Sequence, residues 1–318
     1  MAVLILTGDL DSTADHMVEV LGDRGVEVHR INTAWFPSQL SVAAELRGDR
    51  WVGALRTPHR VVDLETITSV WYRAPEAYQF AAELSAAERQ HANMEAKYGL
   101  GGILASLPAL WVNHPSRMAD IAYKPVQLVT AARCGLVVPG TLIANEPAPV
   151  QVFAREGQTV TKMIGASSII EQGKRKIGFT RLVDPPDLDD LRGVEQTTHL
   201  FQRWVPKAYE ARLIVIGDHI TSTTIHAGST ESYVDFRTDY DANTYCLIDT
   251  PGDVADGVRR FMSSAGLLYA AFDFVVMPEG QWVFLEANAG GQYGFVEHRT
   301  GAPLTAQLAD LLAGGSRS

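Results

Sequence analysis

Cysteine is nearly absent from this chain. Its 318 residues include two, Cys134 and Cys246, which is too few for the disulfide framework of a small secreted domain and indicates a reducing compartment. Cys134 lies in the apolar run AARCGLVV, so we expect a buried and inert side chain there. Neither thiol is accompanied by a histidine motif. The sequence therefore argues against a cysteine-nucleophile enzyme.

Positive charge and long hydrophobic runs are also scarce. Lys and Arg number 27 against 37 Asp and Glu, and the formal net charge is -10. A chain this acidic repels nucleic-acid phosphate and anionic membrane. The run at residues 3–6 has no basic flank, and the longest apolar stretch, residues 99–112, contains Pro108 and is too short to cross a bilayer. We expect a cytoplasmic protein without a signal peptide that binds no nucleic acid and no membrane.

What the sequence does contain is an alternation of short apolar runs with amphipathic segments. Residues 3–6 and 26–31 are predicted strands on either side of a helix at 12–24 that Gly25 ends, which is the opening of a βαβ unit. We therefore expect an α/β (α+β) fold. The predicted domains are an N-terminal α/β domain at residues 1–115, a central lobe at 116–198 and a C-terminal lobe at 199–318.

The sharpest chemical signal lies in the segment AAFDFVVMPEGQWVFLEANAGGQ. Asp273 stands in one predicted strand, and Glu286 and Asn288 end the next, antiparallel strand. Because side chains alternate along a strand, Glu286 and Asn288 project to one face, which Asp273 can share. Oxygen ligands without His or Cys suit Mg²⁺ rather than Zn²⁺. Since an unpaired acid in an apolar strand is costly, we interpret the three as metal ligands rather than solvated strand-end groups.

A second signal is the segment LFQRWVPKAYEAR. A predicted strand stops at Pro206, because proline has no amide hydrogen, and leaves backbone groups that can bond an adenine edge. Glu210 can take ribose hydroxyls, and Arg212, two residues on and on the same face, can meet phosphate. Strand–proline–strand is a common pattern by itself, so this interpretation depends on the metal signal.

Two lysines form a third signal. Lys124 opens a predicted helix, and Lys162 stands among apolar neighbours in VTKMI. Burial of an ammonium without a partner is costly, which makes phosphate a plausible partner. A side chain that reaches solvent along its apolar stem is the alternative.

These three signals, in this order, resemble the ATP-grasp superfamily, and more closely the ATP-grasp ribosomal peptide maturases (graspetide synthetases). The resemblance runs nearly end to end. Its landmarks are residues 69–78, 111–145, 160–164, 201–218, 234–240 and 272–297. It implies three lobes with ATP clasped between two antiparallel sheets. Two departures stand out: Asn-Ala-Gly-Gly where many relatives have Asn-Pro, and Arg73-Ala74-Pro75 where a second arginine is common.

The resemblance also implies a role for each candidate residue. The ATP-binding set is Lys124, Lys162, Gln202, Arg203, Trp204, Val205, Glu210 and Arg212, with residues 202–205 as the adenine hinge and Glu210 as the ribose ligand. Asp273, Glu286 and Asn288 become the Mg²⁺ ligands. Arg212 faces the transferred phosphate, Arg237 orients the carboxylate substrate, and both are expected to act in catalysis with Lys162.

The implied reaction is phosphoryl transfer followed by acyl transfer. A peptide Asp or Glu carboxylate attacks the ATP γ-phosphate, and a Ser or Thr hydroxyl or a Lys amine then attacks the acyl phosphate. The cofactors are ATP and Mg²⁺, and the partner is a ribosomal precursor peptide with a leader and an acidic core. The candidate peptide-binding residues are Lys174, Arg175, Lys176, His226 and Asp235. The alternative for the three basic residues is a solvated turn, and the alternative for His226 is a polar residue at a strand end. A homodimer is also possible.

Three alternative functions use the same sequence features. The first is an ATP-grasp ligase for free amino acids or short peptides, the second is a small-molecule kinase, and the third is a nucleotide-responsive binding protein. A precursor gene beside this one would favour the maturase. ADP release without a condensation product would favour the kinase. The complete set Asp273, Glu286 and Asn288 argues against the binding protein.

Overall fold

The computed structural model describes residues 2–165, 168–172 and 174–315, without the side chains of Ile170 and Arg175. Ala166, Ser167 and Gly173, which the sequence places in or beside the basic hairpin, lie outside the described residues. Within the described part, no helix is long and apolar enough to cross a membrane.

The first part of the chain forms a parallel sheet with helices on it. Its strands run in the order β2-β1-β6-β7, all parallel, and β3, β4 and β5 form a separate antiparallel sheet. Every residue of β1 is buried, as expected for a central parallel strand. The elements are β1 (Ala2–Thr7), α1 (Ser12–Asp23), β2 (Glu27–Ile31), β3 (Ser41–Arg47), β4 (Arg50–Arg56), β5 (Val61–Asp63), β6 (Ile67–Ala74), α2 (Ala86–Tyr98), α3 (Leu100–Ala105) and β7 (Leu110–Val112).

The middle of the chain forms a four-stranded antiparallel sheet in the order β12-β9-β13-β8 and a separate hairpin, β10-β11. The strand at His199–Arg203 pairs with Thr141–Ala144 and Thr159–Lys162, so it lies in the central sheet, although the predicted boundary at 198/199 puts it with the C-terminal lobe. The elements are α4 (Pro115–Ile121), α5 (Lys124–Arg133), β8 (Thr141–Ala144), α6 (Pro147–Arg155), β9 (Thr159–Lys162), β10 (Ser168–Glu171), β11 (Lys174–Ile177), β12 (Arg181–Leu182), α7 (Pro185–Asp189) and β13 (His199–Arg203).

The last part of the chain forms a five-stranded antiparallel sheet in the order β16-β15-β14-β17-β18. All eight residues of the strand at Tyr269–Val276 are buried, because the sheet is covered on both faces. The elements are β14 (Tyr209–Ile216), β15 (His219–His226), α8 (Thr230–Val234), β16 (Thr244–Ile248), α9 (Gly252–Ala265), β17 (Tyr269–Val276), β18 (Trp282–Asn288), α10 (Gly294–Thr300) and α11 (Leu304–Ala313).

Two hydrophobic clusters cover the two faces of this last sheet. On one face Phe261 of α9 packs edge-on against Phe272, with ring centroids 5.2 Å apart, and close to Phe284. On the other face, residues of β14 and β17 share a cluster with β1, α1 and α11. Each fully buried phenylalanine contributes roughly 1.5–3 kcal/mol of transfer free energy. The shared cluster fixes the N-terminal sheet against the strands that carry Arg212 and Asp273.

Candidate active site

Three charged residues stand in one row across the C-terminal sheet. Arg212 of β14 is directly opposite Asp273 of β17, which is directly opposite Glu286 of β18. Residues directly opposite one another in a sheet project to the same face. Asn288 lies two residues beyond Glu286 and therefore shares that face. The period-two pattern of the sequence thus brings the three predicted metal ligands together.

Each carboxylate of this row has a cationic partner. Arg212 Nη1 donates to both oxygens of Asp273, at 2.7 and 2.8 Å, and Lys124 Nζ, from the start of α5, donates to Glu286. Burial acts to raise the pKa of Glu286, but the ammonium groups of Lys124 and Lys162 outweigh it and lower the pKa to about 2. Glu286 is therefore a carboxylate at any physiological pH, which a metal ligand requires.

Lys162 ends β9, in the sheet opposite this row. Burial lowers the pKa of its ammonium to about 8, against the opposing effect of the Glu286 carboxylate. An anionic ligand beside Lys162 would stabilise the protonated ammonium and raise its pKa, so this environment favours binding of an anion. The Lys162 side chain is half-buried and lines a cavity, and its contact with phosphate stays a prediction.

A cavity of about 480 Å³ separates the central sheet from the C-terminal sheet. Apolar side chains such as Met118, Val160 and Leu285 line it together with charged groups. Most of the predicted ATP and metal residues lie on its wall: Lys124, Lys162, Gln202, Arg203, Trp204, Val205, Glu210, Asp273, Glu286 and Asn288. We call this space the first cavity.

The predicted adenine hinge follows β13 along one side of the first cavity. Trp204 N–H donates to Gln158 O at 2.9 Å, whereas the Val205 N–H has no hydrogen-bond partner among the described residues. The Arg203 guanidinium lies 3.8 Å from the ring centroid of Phe153 and bonds Glu156 at 2.7 Å. The charged end of Arg203 is therefore engaged within the central lobe, and the main chain of the hinge is what a ligand can use.

Glu210 has a partner that the sequence did not indicate. Lys207 Nζ donates to Glu210 Oε1, both side chains are buried, and the ammonium lies 5.6 and 5.3 Å from the ring centroids of Trp204 and Tyr233. Burial raises the pKa of Glu210 to about 7, and Lys207 opposes that rise. The spacing from Lys207 to Glu210 crosses a loop, so no strand or helix periodicity predicts this pair.

A second cavity, of about 910 Å³, adjoins the first. Its wall includes Ser12 and His16 of α1, Arg212 of β14 and Phe295 of α10. Five residues line both cavities: Phe236, Arg237, Asp273, Glu286 and Asn288. The candidate metal ligands therefore stand at the junction of two spaces, one on the side of the hinge and one on the side of α1 and α10.

Arg237, at this junction, is fixed by Asp235. Its Nε and Nη2 donate to the two oxygens of Asp235 at 2.8 and 2.6 Å, and these hydrogen bonds raise the pKa of the guanidinium. Asp235 is 5% exposed and also accepts from the Thr180 N–H at 3.0 Å. Its carboxylate is thus used inside the protein, which leaves the predicted peptide contact to Arg237 rather than to Asp235.

Three further side chains hold the loop at residues 286–292, and sequence reasoning assigned a role to none of them. Gln127 of α5 accepts from the Ala287 N–H at 2.9 Å. Asn113 donates to Ala289 O at 2.8 Å. Arg73 of β6 donates to Gly290 O at 3.4 Å and to the Gln292 side chain. Arg73 lies in the landmark segment at residues 69–78. The local sequence of that segment does not indicate which distant residue Arg73 contacts.

The remaining peptide candidates lie away from the two cavities. Lys174 and Lys176 are exposed on β11, where Lys176 pairs with Glu171, and the side chain of Arg175 lies outside the described part. His226 ends β15, with its ring centroid 5.1 Å from that of Tyr209, and lines neither cavity.

The donor set at the junction fits magnesium. Among the described residues there is no group of three or more His, Cys, Asp or Glu side chains that could hold a metal. The candidate site instead combines two carboxylates and one amide oxygen. Mg²⁺ is commonly held by one or two carboxylates together with water and substrate phosphates, and the ammonium groups of Lys124 and Lys162 lie close to Glu286.

Comparison with known proteins agrees with this geometry. The family model described as the MvdD pre-ATP grasp domain matches residues 2–119. A search of curated proteins finds no match.

Solved structures align with this chain from end to end. A RiPP-associated ATP-grasp ligase from Chryseobacterium gregarium, in complex with ADP and a leader and core peptide, is 27% identical, with a TM-score of 0.91 over 99% of this chain and 97% of that chain. The macrocyclase MdnC from Microcystis aeruginosa, bound with the precursor peptide MdnA, is 26% identical, with a TM-score of 0.87 over 99% and 100% of the two chains. The macrocyclase MdnB from the same organism is 27% identical, with a TM-score of 0.83 over 99% of each chain.

The expected α/β fold with several antiparallel sheets is confirmed. The row of charged residues between two sheets and the end-to-end alignment point to the same kind of enzyme. The chain is similar from end to end to RiPP-associated ATP-grasp ligases, and it is an ATP-dependent ligase.

Proposed function

We propose that this enzyme joins side chains within a ribosomal precursor peptide. It activates an Asp or Glu carboxylate of the peptide with ATP and condenses it with a Ser or Thr hydroxyl or a Lys amine. The observation that carries the proposal is the junction of the two cavities at Arg237, Asp273, Glu286 and Asn288. Phosphoryl transfer between a nucleotide and a large second substrate needs such a shared point, with one substrate on each side.

ATP occupies the first cavity in this proposal. The free Val205 N–H bonds the adenine edge, Glu210 accepts from the ribose hydroxyls, and Lys124 and Lys162 bind the phosphates. Asp273, Glu286 and Asn288 would hold Mg²⁺, which when bound neutralises charge on the phosphates. The neighbours of known structure support this assignment, since one contains ADP.

The peptide carboxylate reaches the junction from the second cavity. Arg237, held by Asp235, orients that carboxylate, and one of its oxygens attacks the γ-phosphorus while ADP leaves. The acyl phosphate that results is attacked at carbon by the hydroxyl or amine. Phosphate then leaves and the nucleophile loses its proton, so one ATP becomes ADP and phosphate for each crosslink. Arg212, on the wall of the second cavity, stabilises the oxyanion of the tetrahedral intermediate.

The second substrate in this proposal is a ribosomal precursor peptide. Support comes from the leader, core and precursor peptides bound to the structures that align with this chain. We propose that the hairpin with Lys174, Arg175 and Lys176 contributes to binding of the peptide. The proposal includes a cytoplasmic location, three lobes with the strand at His199–Arg203 in the central one, and no nucleic-acid partner. A homodimer is compatible with it.

Intact-mass spectrometry tests the proposed function. The protein is incubated with ATP, Mg²⁺ and the peptide encoded beside its gene, and ADP is measured in the same sample. We expect the peptide to lose the mass of one water for each ADP formed. A peptide that instead gains phosphate would assign the chain to the kinases. Joining of free amino acids with no change in the peptide would assign it to the small-substrate ligases.

A further inference from the structure

We propose that Gln292 is a substrate-binding residue that presents its amide N–H₂ to the peptide carboxylate, and that Arg73 is the positioning residue that orients it. This inference rests on the proposed function, because it concerns the acceptor side of the same site. Gln292 follows the loop of the candidate metal ligands and lies on the wall of the second cavity. The Gln292 side chain is exposed, whereas most residues around it are buried or half-buried.

Arg73 is a buried cation at the contact between the N-terminal sheet and this loop. It is 5% exposed, its Nε lies 3.3 Å from Asp11 Oδ2, and its guanidinium stands 5.6 Å from the ring centroid of Trp71. Nη1 donates to Gly290 O at 3.4 Å, and Nη2 donates to Gln292 Oε1. The guanidinium is thus fixed by an anion, a ring and two carbonyl oxygens at once.

This environment determines which way the Gln292 amide faces. A guanidinium has donors and no acceptor, so an amide beside it must turn its oxygen toward it. With Oε1 held by Arg73, the N–H₂ group is at the opposite end of the amide. Among the described residues, Nε2 donates to none. Two oriented and unused donors therefore stand on the wall of the second cavity.

The same residue is also tied to the proposed catalytic arginine. Arg212 Nη2 donates to the main-chain oxygen of Gln292 at 3.0 Å. Gly291, between the loop and Gln292, leaves room for this approach, since a Cβ atom there would lie 2.9 Å from Arg212 Nη2 and 2.6 Å from Ala271 Cβ. The Gln292 main chain is therefore fixed beside Arg212, and both residues line the second cavity.

The chemistry of the ligand follows from the donors. An amide N–H₂ donates to an oxygen acceptor and cannot accept from a lysine ammonium. Because a carboxylate is a stronger acceptor than a hydroxyl, the peptide carboxylate is the ligand that suits these donors best. Glu297, on the same wall, is bound to Thr305 through both oxygens and does not compete for the donors. Gln292 and Arg237 would then hold one acceptor carboxylate from two sides.

The substitution Gln292→Glu separates this role from a structural one. Glutamate has the same shape and still accepts from Arg73, so the protein should keep its melting temperature. It lacks the N–H₂ donors and places a negative charge against the incoming carboxylate. Gln292→Met, which loses both functions, serves as a second variant if the added charge perturbs folding. The matched control is Gln281→Glu, in the exposed turn between β17 and β18.

The measurement is a calorimetric titration of the protein, saturated with Mg²⁺ and ADP, with two synthetic peptides. One alternates threonine with glutamate, and the other alternates threonine with glutamine. We expect the wild type and Gln281→Glu to prefer the glutamate peptide, and Gln292→Glu to reduce that preference about tenfold or more, as loss of a hydrogen bond to a charged group would. Arg73→Met should reduce it as well, and Arg73→Lys should partly restore it.

Two negative results have different meanings. If the wild type prefers the glutamate peptide and Gln292→Glu keeps the full preference, the inference about Gln292 is wrong and the proposed function stands. If the wild type binds neither peptide, or binds both equally, the peptide-ligase proposal is wrong. The inference about Gln292 is then wrong as well, because it depends on that proposal.

Discussion

Arg212 and Asp273 face each other on β14 and β17, and the guanidinium Nη1 lies 2.7 and 2.8 Å from the two carboxylate oxygens. The neighbouring carboxylate, Glu286, accepts from Lys124 Nζ through one oxygen, Oε2. The two carboxylates among the three candidate metal ligands are thus each paired with a protein cation. A metal that arrives with ATP has to replace those cations, and the γ-phosphate offers Lys124 a new anionic partner. We infer that metal and nucleotide bind together rather than in sequence.

The substitution Glu286→Gln tests this exchange. It removes a metal ligand and frees Lys124 and Lys162 from their counter-charge. Mg²⁺-dependent ATP turnover should fall by about a hundredfold or more, because charge stabilisation in phosphoryl transfer depends on the metal position. Binding of ATP in the presence of EDTA should be unchanged or tighter. The control is Glu279→Gln, in an exposed turn, and turnover retained by Glu286→Gln would contradict the assignment.

Lys162→Ala should weaken nucleotide binding more than it disturbs folding. The ammonium stands beside the first cavity and is not hydrogen-bonded to any described carboxylate, so its partner in the complex is phosphate. We expect at least tenfold weaker binding of an ATP analogue by calorimetry, with little change in the melting temperature. Lys174→Ala, on the exposed hairpin, is the matched control. Equal affinities for the two variants would place Lys162 outside the nucleotide site.

The pH dependence of nucleotide binding follows from the same lysine. Burial lowers the pKa of Lys162 to about 8 in the free protein, and a bound phosphate would raise it. Below pH 8 the lysine is already protonated and binding is strongest. As pH rises through 8, binding must take up a proton, and affinity falls by up to about tenfold per unit. This decline should disappear in Lys162→Ala, and a wild-type affinity that is flat from pH 7 to 9 would contradict it.

Glu210 predicts a pH dependence of stability. Its pKa is raised by burial from 4.5 in a free carboxyl to about 7 in the folded protein. A carboxyl whose folded pKa is raised contributes stability below its unfolded pKa, and that stability is lost as pH rises through the folded value. The free energy of unfolding should therefore fall by roughly 2–3 kcal/mol between pH 4.5 and 7 from this group. Urea titrations of Glu210→Gln at several pH values should lack this fall in the free energy of unfolding. The same dependence of that free energy on pH in both proteins would refute the prediction.

The proposed role of the basic hairpin in peptide binding is tested by the dependence of peptide affinity on ionic strength. If Lys174, Arg175 and Lys176 collect an acidic peptide, binding should weaken steeply with ionic strength, because exposed charges are screened. The triple alanine variant should bind the precursor less tightly and lose most of this salt dependence, while ATP hydrolysis stays normal. Unchanged affinity would leave the hairpin as solvated surface.

The sequence predicts those features of the site that depend on residues close together in the chain. Alternation along paired strands is enough to bring Asp273 and Glu286 together. The apolar residues around Lys162 are enough to indicate that its side chain is at least partly withdrawn from solvent. The proposed adenine hinge at residues 202–205 is likewise marked by Pro206, which lies three residues beyond the end of β13. These features depend on neighbours within one hairpin or one strand.

The part that the sequence does not predict depends on packing between distant segments. Arg73 and Gln292 are 219 residues apart, and nothing in either local pattern indicates the other. Lys207 and Glu210 meet because a loop folds over Trp204 and Tyr233, not because of a repeat. The strand at His199–Arg203 joins the central sheet because β8 and β9 offer it two partners, which no linear boundary could indicate.

The central claim, that a peptide carboxylate is phosphorylated before it is joined, is tested most directly by isotope transfer. The precursor peptide is prepared with ¹⁸O in its side-chain carboxylates and incubated with unlabelled ATP, Mg²⁺ and the protein, and the released phosphate is analysed by mass spectrometry. We predict one ¹⁸O atom in the phosphate for each crosslink formed, because the carboxylate oxygen that attacks the γ-phosphorus leaves with it. Phosphate without ¹⁸O, alongside a crosslinked peptide, would contradict this account.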